Sequence, residues 1–339
     1  MKLATFMDMV LSGRLPLLYR VARLLEPFYR VSFTATAASL GLLRRLGSGP
    51  VPLERLAADL ALPPDGLEAL AAWLKIGVRL GELHWGPKGY TLKGRLSKAL
   101  AEEKNDPAAA FLEEAASLHY DLIRRLPVRL QEGRFFTLED QDGELIARSS
   151  RIMEPLVFEA IDAVIPASGP SRLLEVGCGS GTYMRYAAAR NPDLTALGVE
   201  LQPEVAEAAR RNLREWGLGG RTAVEAGDIR ELIPEAAFDV ATLHNNIYYF
   251  PLEGRVEVLA HVRAFLKPAG RLLLTTGCQG GSVIMELLNL WGAATEGCGR
   301  LPTPAEMTAQ LREAGFVAVK ATRLYPFESY YSFVGINKS

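Results

Sequence analysis

The sequence predicts an α/β protein in which a seven-stranded, mostly parallel sheet follows a mainly helical N-terminal region. Three observations predict it. From Ser171 onward, short apolar segments alternate with amphipathic stretches of helical spacing, the pattern of a parallel sheet covered on both faces. One apolar segment, Leu173-Leu174-Glu175-Val176, runs directly into three alternate glycines, Gly177, Gly179 and Gly181. The first hundred residues instead read helix, turn, helix, hairpin, the order of a winged helix.

From 15 to 46 the apolar residues recur at helical spacing, with Pro27 and Gly41 as expected breaks between two or three helices. A short helix over 53–61 and the turn Pro63-Pro64-Asp65-Gly66 precede a helix reaching to about Gly77. Segments 80–83 and 90–92 then flank the turn Gly86-Pro87-Lys88-Gly89 as a hairpin. Residues 101–150 read as a helical connector punctuated by Pro107, Pro127 and Gly133. Strands are expected at 172–176, 195–200, 222–226, 239–243 and 271–276, with helices at 203–216 and 253–266, and an antiparallel edge pair at 316–323 and 330–336. The expected domains are therefore 1–100, the connector 101–150, and the sheet domain 151–339.

The 339 residues carry a net charge of -1 with 49% hydrophobic and 23% charged residues, so no global basic field suggests nucleic acid. The second helix of the winged-helix pattern offers Asp65 and Glu68 against Lys75, which disfavours contact with phosphates. Three cysteines, Cys178, Cys278 and Cys298, lack the spacing of a zinc site or a disulfide framework, so a cytoplasmic location and no bound metal are expected. No stretch has the roughly 18 unbroken apolar residues of a spanning helix. Residues 1–50 are locally basic: Lys2, Arg14, Arg20, Arg23, Arg30, Arg44 and Arg45 face only Asp8 and Glu26, on a Leu-rich background. That composition suits helical packing or dimerisation, with membrane-surface or lipid contact as the alternative.

The chemistry concentrates at successive strand ends. Glycines are needed in Gly177-Cys178-Gly179-Ser180-Gly181 because a side chain would block close approach of a ligand to the backbone and because the turn uses φ values that a Cβ disfavours. A dinucleotide turn is spaced G-x-G-x-x-G, whereas this one is G-x-G-x-G with Glu175 on the strand before it. About 20 residues on, the second strand ends at Gly198-Val199-Glu200, placing a carboxylate where it can accept both hydroxyls of a ribose, with Leu201 following. The third strand ends in Gly227-Asp228-Ile229, whose acid suits an adenine amino group. The fourth runs out as His244-Asn245-Asn246.

On these motifs, and on the turn Leu266-Lys267-Pro268-Ala269-Gly270-Arg271 before the fifth strand, the sequence resembles the class I S-adenosylmethionine (SAM)-dependent methyltransferases. Over its whole length it is similar to the winged-helix small-molecule O-methyltransferases of plant phenolic and bacterial polyketide pathways. The resemblance implies a Rossmann-like cofactor domain and a winged-helix dimerisation domain, hence a homodimer. It also implies SAM as cofactor, S-adenosylhomocysteine as product, and a small-molecule acceptor. Glu175, Gly177, Gly179, Gly181, Glu200, Leu201, Gly227, Asp228, Ile229, His244 and Asn245 would then contact the cofactor. By family position, Arg151, Met153, Met285, Leu288 and Trp291 would line the acceptor pocket, whose apolar and aromatic character suits an apolar or planar acceptor.

The family's catalytic pattern is not kept. Its histidine base falls on Tyr248, in the run Tyr248-Tyr249-Phe250, and its supporting acids fall near Thr276 and Gly299. Three readings stay open. The enzyme can work by holding nucleophile and methyl in line within a dry pocket, without a base. Alternatively, His244, Tyr248 or Tyr249 takes a proton or orients the acceptor. In the third reading the acceptor is carbon, nitrogen or sulfur activated otherwise. A SAM-binding regulator without turnover is the alternative from a different class.

Overall fold

The computed structural model of the protein describes residues 3–338. The chain divides into two compact units. The first runs through Ile123 and adds Asp142–Ile152, and the second comprises Arg124–Gln141 and Met153 onward. The stretch 101–150 is thus shared between the two.

In the first unit, the helices Leu3–Leu11, Arg14–Ser39, Leu42–Gly47, Leu53–Asp59 and Leu67–Arg79 precede a hairpin of β1 (Leu83–Gly86) and β2 (Gly89–Leu92). The core is built from Phe33, Leu42, Leu43, Leu56, Leu74 and Leu83. A Cβ on Gly77 would lie 2.2 Å from the Phe33 ring, so that position must be glycine for the two helices to meet. Two expectations need correction. The helix Arg14–Ser39 passes through Pro27 instead of breaking there. Pro27 and Arg23 both lie on an exposed stretch, so the Arg23 carbonyl that loses its helical donor has water available. The first hairpin strand begins at Leu83, because Leu80 still caps the preceding helix and Gly81 turns the chain at φ 78°. The break at Gly41 is present, with φ 68°.

The second unit holds a seven-stranded sheet of β3 (Ser171–Val176), β4 (Leu194–Glu200), β5 (Thr222–Ala226), β6 (Phe238–His244), β7 (Leu266–Gly277), β8 (Phe316–Arg323) and β9 (Tyr330–Asn337). Their order is β5-β4-β3-β6-β7-β9-β8. The first five are parallel, while β9 runs antiparallel to both β7 and β8. Strand ends agree with the sequence reading to within one residue except at β7, which already pairs through Leu266 with Phe238. The register then breaks, and the next pair is Val240 with Arg271. Ala269, at φ 61°, turns the intervening residues out of the ladder. Leu174, Val176, Leu243, Leu259, Leu272 and Phe333 centre the core on one side, and Ile161, Leu173, Met184 and Leu273 that on the other.

The chain proceeds outward from β3 through β4 to β5 and then returns to place β6 on the opposite side of β3. The carboxyl ends of β3 and β6 therefore form the topological switch point, where open α/β sheets bind ligands.

Candidate cofactor and acceptor site

The glycine turn leaves β3 with Gly177, Gly179 and Gly181 at φ 67°, 52° and 81°, all left-handed, and Gly181 caps the helix Thr182–Arg190. The turn is drawn onto β4: the amides of Gly177 and Cys178 donate to the Val199 carbonyl at 2.8 and 3.2 Å. Gly198 completes the fit, since a Cβ there would lie 2.7 Å from Cys178 Sγ and 2.8 Å from Met184 Sδ. A Cβ added to Gly179 would meet nothing within 4 Å, so the face of the turn is open to a ligand.

Glu200 closes β4 with its carboxylate beside this opening, accepting from Gly179 N–H at 3.0 Å and from Gln202 N–H at 3.2 Å. Each of its oxygens accepts one of these bonds and retains capacity for a ribose hydroxyl. Gly227 N–H donates to the Glu200 carbonyl at 2.9 Å, which aligns the ends of β4 and β5. Asp228 follows as the cap of a short turn and accepts from Arg230 N–H at 2.9 Å. The Arg230 guanidinium binds both carboxylate oxygens and holds Asp228 below the usual carboxylate range. Leu201 is exposed and Ile229 buried.

Glu175 is buried beneath the turn with neither carboxylate oxygen partnered. Burial first, then the nearby Glu200 charge, pushes its pKa well above the usual value. Cys178 is buried, and its thiol is likewise pushed up by desolvation.

At the end of β6, His244 Nδ1 lies 2.9 Å from Thr275 Oγ1, while Nε2 is buried without a partner. The Tyr183 ring packs 4.8 Å away, and burial drives the His244 pKa down to about 3. Asn245 adopts φ 54°, and its Oδ1 accepts from the Tyr330 hydroxyl at 2.9 Å. Burial raises that hydroxyl to about 12. Tyr248 is buried with Met285 and Leu301, and Tyr249 and Leu288 pack against them. The two tyrosine rings are 4.9 Å apart.

The structure thus gathers Tyr248, Tyr249, Met285 and Leu288 into one apolar group. Trp291 instead packs toward Phe136, with ring centroids 6.2 Å apart. Met153 packs with the cluster containing Val157 and Ile161, and Arg151 belongs to the first unit. Sequence reading missed Asn246, whose Nδ2 donates to the Val176 carbonyl at 2.5 Å and fills the space a Cβ on Gly177 would need. Its signal was the second polar residue after β6. Thr275, which fixes the His244 ring, carried no signal. Among the described residues, no group of three or more His, Cys, Asp or Glu is arranged to hold a metal.

A glycine turn, a carboxylate ending β4 and a second after β5, all at the switch point of a sheet with one antiparallel strand, define a SAM-binding transferase. Residues 174–272 match the methyltransferase domain family. The demethylspheroidene O-methyltransferase of Cereibacter sphaeroides is 26% identical over 342 residues, covering 92% of this chain and 87% of that protein. The aclacinomycin 10-hydroxylase RdmB of Streptomyces purpurascens is 30% identical over 255 residues, covering 70% and 67%. Among solved structures, the mitomycin 7-O-methyltransferase MmcR superposes with a TM-score of 0.76 at 20% identity, covering 97% of this chain and 99% of that one. The chain belongs to the SAM-dependent O-methyltransferase family. It is a methyltransferase of small molecules with SAM as cofactor.

Proposed function

We propose that the protein methylates a hydroxyl of a small, largely apolar or aromatic molecule by holding the acceptor in line with the methyl group, without a side-chain general base, the hydroxyl proton being released to solvent. The observation that carries this reading is the state of His244. With a pKa of about 3 and its Nδ1 engaged by Thr275, it is too weakly basic to deprotonate a hydroxyl near neutral pH. Tyr248, at the family's base position, is buried among Met285 and Leu301, a setting that suits an apolar wall.

SAM, when bound, supplies a methyl group on a sulfonium whose departure leaves neutral S-adenosylhomocysteine. Gly177, Gly179 and Gly181 would cradle its methionine portion, with Glu175 beneath them and His244 and Asn245 beside them. Glu200 would take the ribose hydroxyls beside Leu201, and Asp228 the adenine amino group, flanked by Gly227 and Ile229. The open face at Gly179 and the spare acceptor capacity of Glu200 support that placement. Tyr248, Tyr249, Met285 and Leu288 would exclude water from the methyl's path, which strengthens the case for catalysis by position. Met153 and Trp291, both of the second unit, remain part of the proposed acceptor pocket.

The test is mass spectrometry of a phenol and polyketide panel incubated with SAM. A product gaining a methyl group on oxygen is the expected result, lost in Glu200→Ala together with S-adenosylhomocysteine affinity. A product gaining an oxygen atom, or Glu200→Ala binding at wild-type affinity, would overturn the reading.

The partner proposal is a cytoplasmic homodimer formed through the N-terminal region. Leu17, Leu18, Leu24 and Phe28 are exposed on the helix Arg14–Ser39, an apolar surface that a second copy would cover. Among the described residues no helix is long and apolar enough to cross a membrane. Light scattering should give twice the chain mass. A monomer that floats with anionic vesicles would instead favour lipid contact through residues 1–50.

A further inference from the structure

Arg255 is among the largest fully buried side chains of the described residues and opens the helix Arg255–Ala264. Among the described residues no carboxylate lies within ion-pairing distance of it. Its Nε donates to the Phe250 carbonyl at 3.0 Å, its Nη2 to the Arg300 carbonyl at 2.8 Å, and its Nη1 is buried without a partner. Burying an unpaired guanidinium is costly, so a cation held only by two carbonyls needs a reason to be there. Burial brings its pKa down to about 10, which still leaves it charged at neutral pH.

The two carbonyls belong to two loops that share one wall. Phe250 ends the turn Ile247–Tyr249, and Arg300 precedes Leu301, which packs on Tyr248 and Met285. Gly299 joins the same framework: its N–H donates to the Tyr248 carbonyl at 2.9 Å. A Cβ at 299 would lie 2.7 Å from Arg255 Nη2 and 3.0 Å from the Phe250 carbonyl. Gly292 of the helix Val283–Ala294 is equally constrained, its added Cβ falling 2.5 Å from the Gly299 carbonyl. Position 299 is where the resemblance placed a supporting acid, and here the guanidinium crowds the space into which its side chain would start.

We propose that Arg255 is a positioning residue for methyl transfer, clamping the loops around 248–250 and 298–301 so that Tyr248 and Leu301 present a fixed acceptor wall. The proposal rests on the methyl-transfer reading for its catalytic consequence, and on the hydrogen bonds alone for its structural one. It predicts that the wall loosens, with the cofactor site intact, when the guanidinium is removed or displaced.

The experiment compares Arg255→Met and Arg255→Lys, with Gly299→Ala as a third variant that crowds both the guanidinium, at 2.7 Å, and the Phe250 carbonyl, at 3.0 Å. Amide hydrogen exchange should rise about tenfold or more in peptides spanning 246–254 and 296–302, with the strands β3 and β4 unchanged. S-adenosylhomocysteine affinity by calorimetry should stay within about twofold, and kcat toward an accepted substrate should fall about tenfold to a hundredfold with KM for SAM unchanged. Arg255→Lys should recover part of the loss. Unchanged exchange in both loops, exchange raised equally across the sheet, or cofactor affinity falling in step would each overturn the proposal. Absence of turnover by the wild-type protein would count against the methyl-transfer reading, while the exchange pattern would still decide the clamp.

Discussion

Replacing Glu175 by Gln should make the cofactor-free protein more stable, and increasingly so as pH rises. Glu175 is 1% exposed, and both its oxygens lack partners, so ionising it buries an uncompensated charge beside Glu200. Its folded-state pKa is raised above 4.5, meaning that the folded protein holds the proton more tightly than the unfolded chain. The stability contributed by this group is therefore full below that value and is lost as pH rises through the folded-state pKa. Glutamine keeps the shape, cannot ionise, and escapes that loss. It still leaves a buried amide unsatisfied, so the net gain at pH 8 should be about 1–3 kcal/mol. For a unit of this size each kcal/mol moves the melting temperature by about 2–4 °C. Scanning calorimetry of both proteins at pH 5 and pH 8, without cofactor, measures the gap directly. A variant that melts lower at pH 8, or a gap independent of pH, would refute the argument. If the Glu175 charge serves the cationic cofactor, saturating SAM should narrow the gap, because the ligand then stabilises the wild type more than the variant.

Gly177→Ala combines a φ of 67° with a Cβ 2.7 Å from Asn246 Nδ2, so it should cost about 1–2 kcal/mol in backbone strain and weaken S-adenosylhomocysteine binding about tenfold by calorimetry. Unchanged affinity would remove the turn from the cofactor site. The pH dependence of kcat should show no histidine inflection near pH 6.5, since the His244 pKa has been lowered to about 3. An inflection there that disappears in His244→Gln would restore the histidine as a base. Because that pKa is depressed on folding, the stability His244 contributes above pH 6.5 is lost as pH falls toward 3, and His244→Gln should flatten the acid limb of the unfolding profile. Phe136→Ala removes a buried ring that packs on Trp291 and should cost about 3–5 kcal/mol, read as a lower denaturation midpoint.

The sheet was legible because each strand is a short apolar run punctuated by glycine or proline, a local signal that tertiary packing reinforced. The edge pair β8 and β9 was legible for the same reason. Pro27 misled because its usual helix-breaking effect depends on whether the freed carbonyl can be solvated, which is a matter of exposure. At the site, glycine spacing and strand-end acids placed Gly177, Glu200 and Asp228 at one crevice. Asp228 was read as suited to an adenine amino group, and the motif did not announce that the guanidinium of Arg230, two residues on, also binds both its oxygens. Asn246 and Arg255 escaped because their roles lie in bonds to backbone carbonyls, Val176 for one and Phe250 and Arg300 for the other. Any residue has a carbonyl to offer, so no side-chain pattern announces such a partner.

The segment Arg124–Gln141 leaves the first unit, pairs Phe136 with the backbone of Ala294 and Glu296, and then hands the chain back at Asp142. The boundary is consequently crossed three times, and neither unit is a continuous stretch of sequence. A gene encoding residues from 153 onward would lack the Phe136 ring that covers Trp291 and the Arg129 that stacks 4.2 Å over that ring. Inheritance of the two units should accordingly be linked: recombination at a single point cannot exchange one without carrying away part of the other, and grafting the second unit elsewhere requires the strap at 124–141 to travel with it.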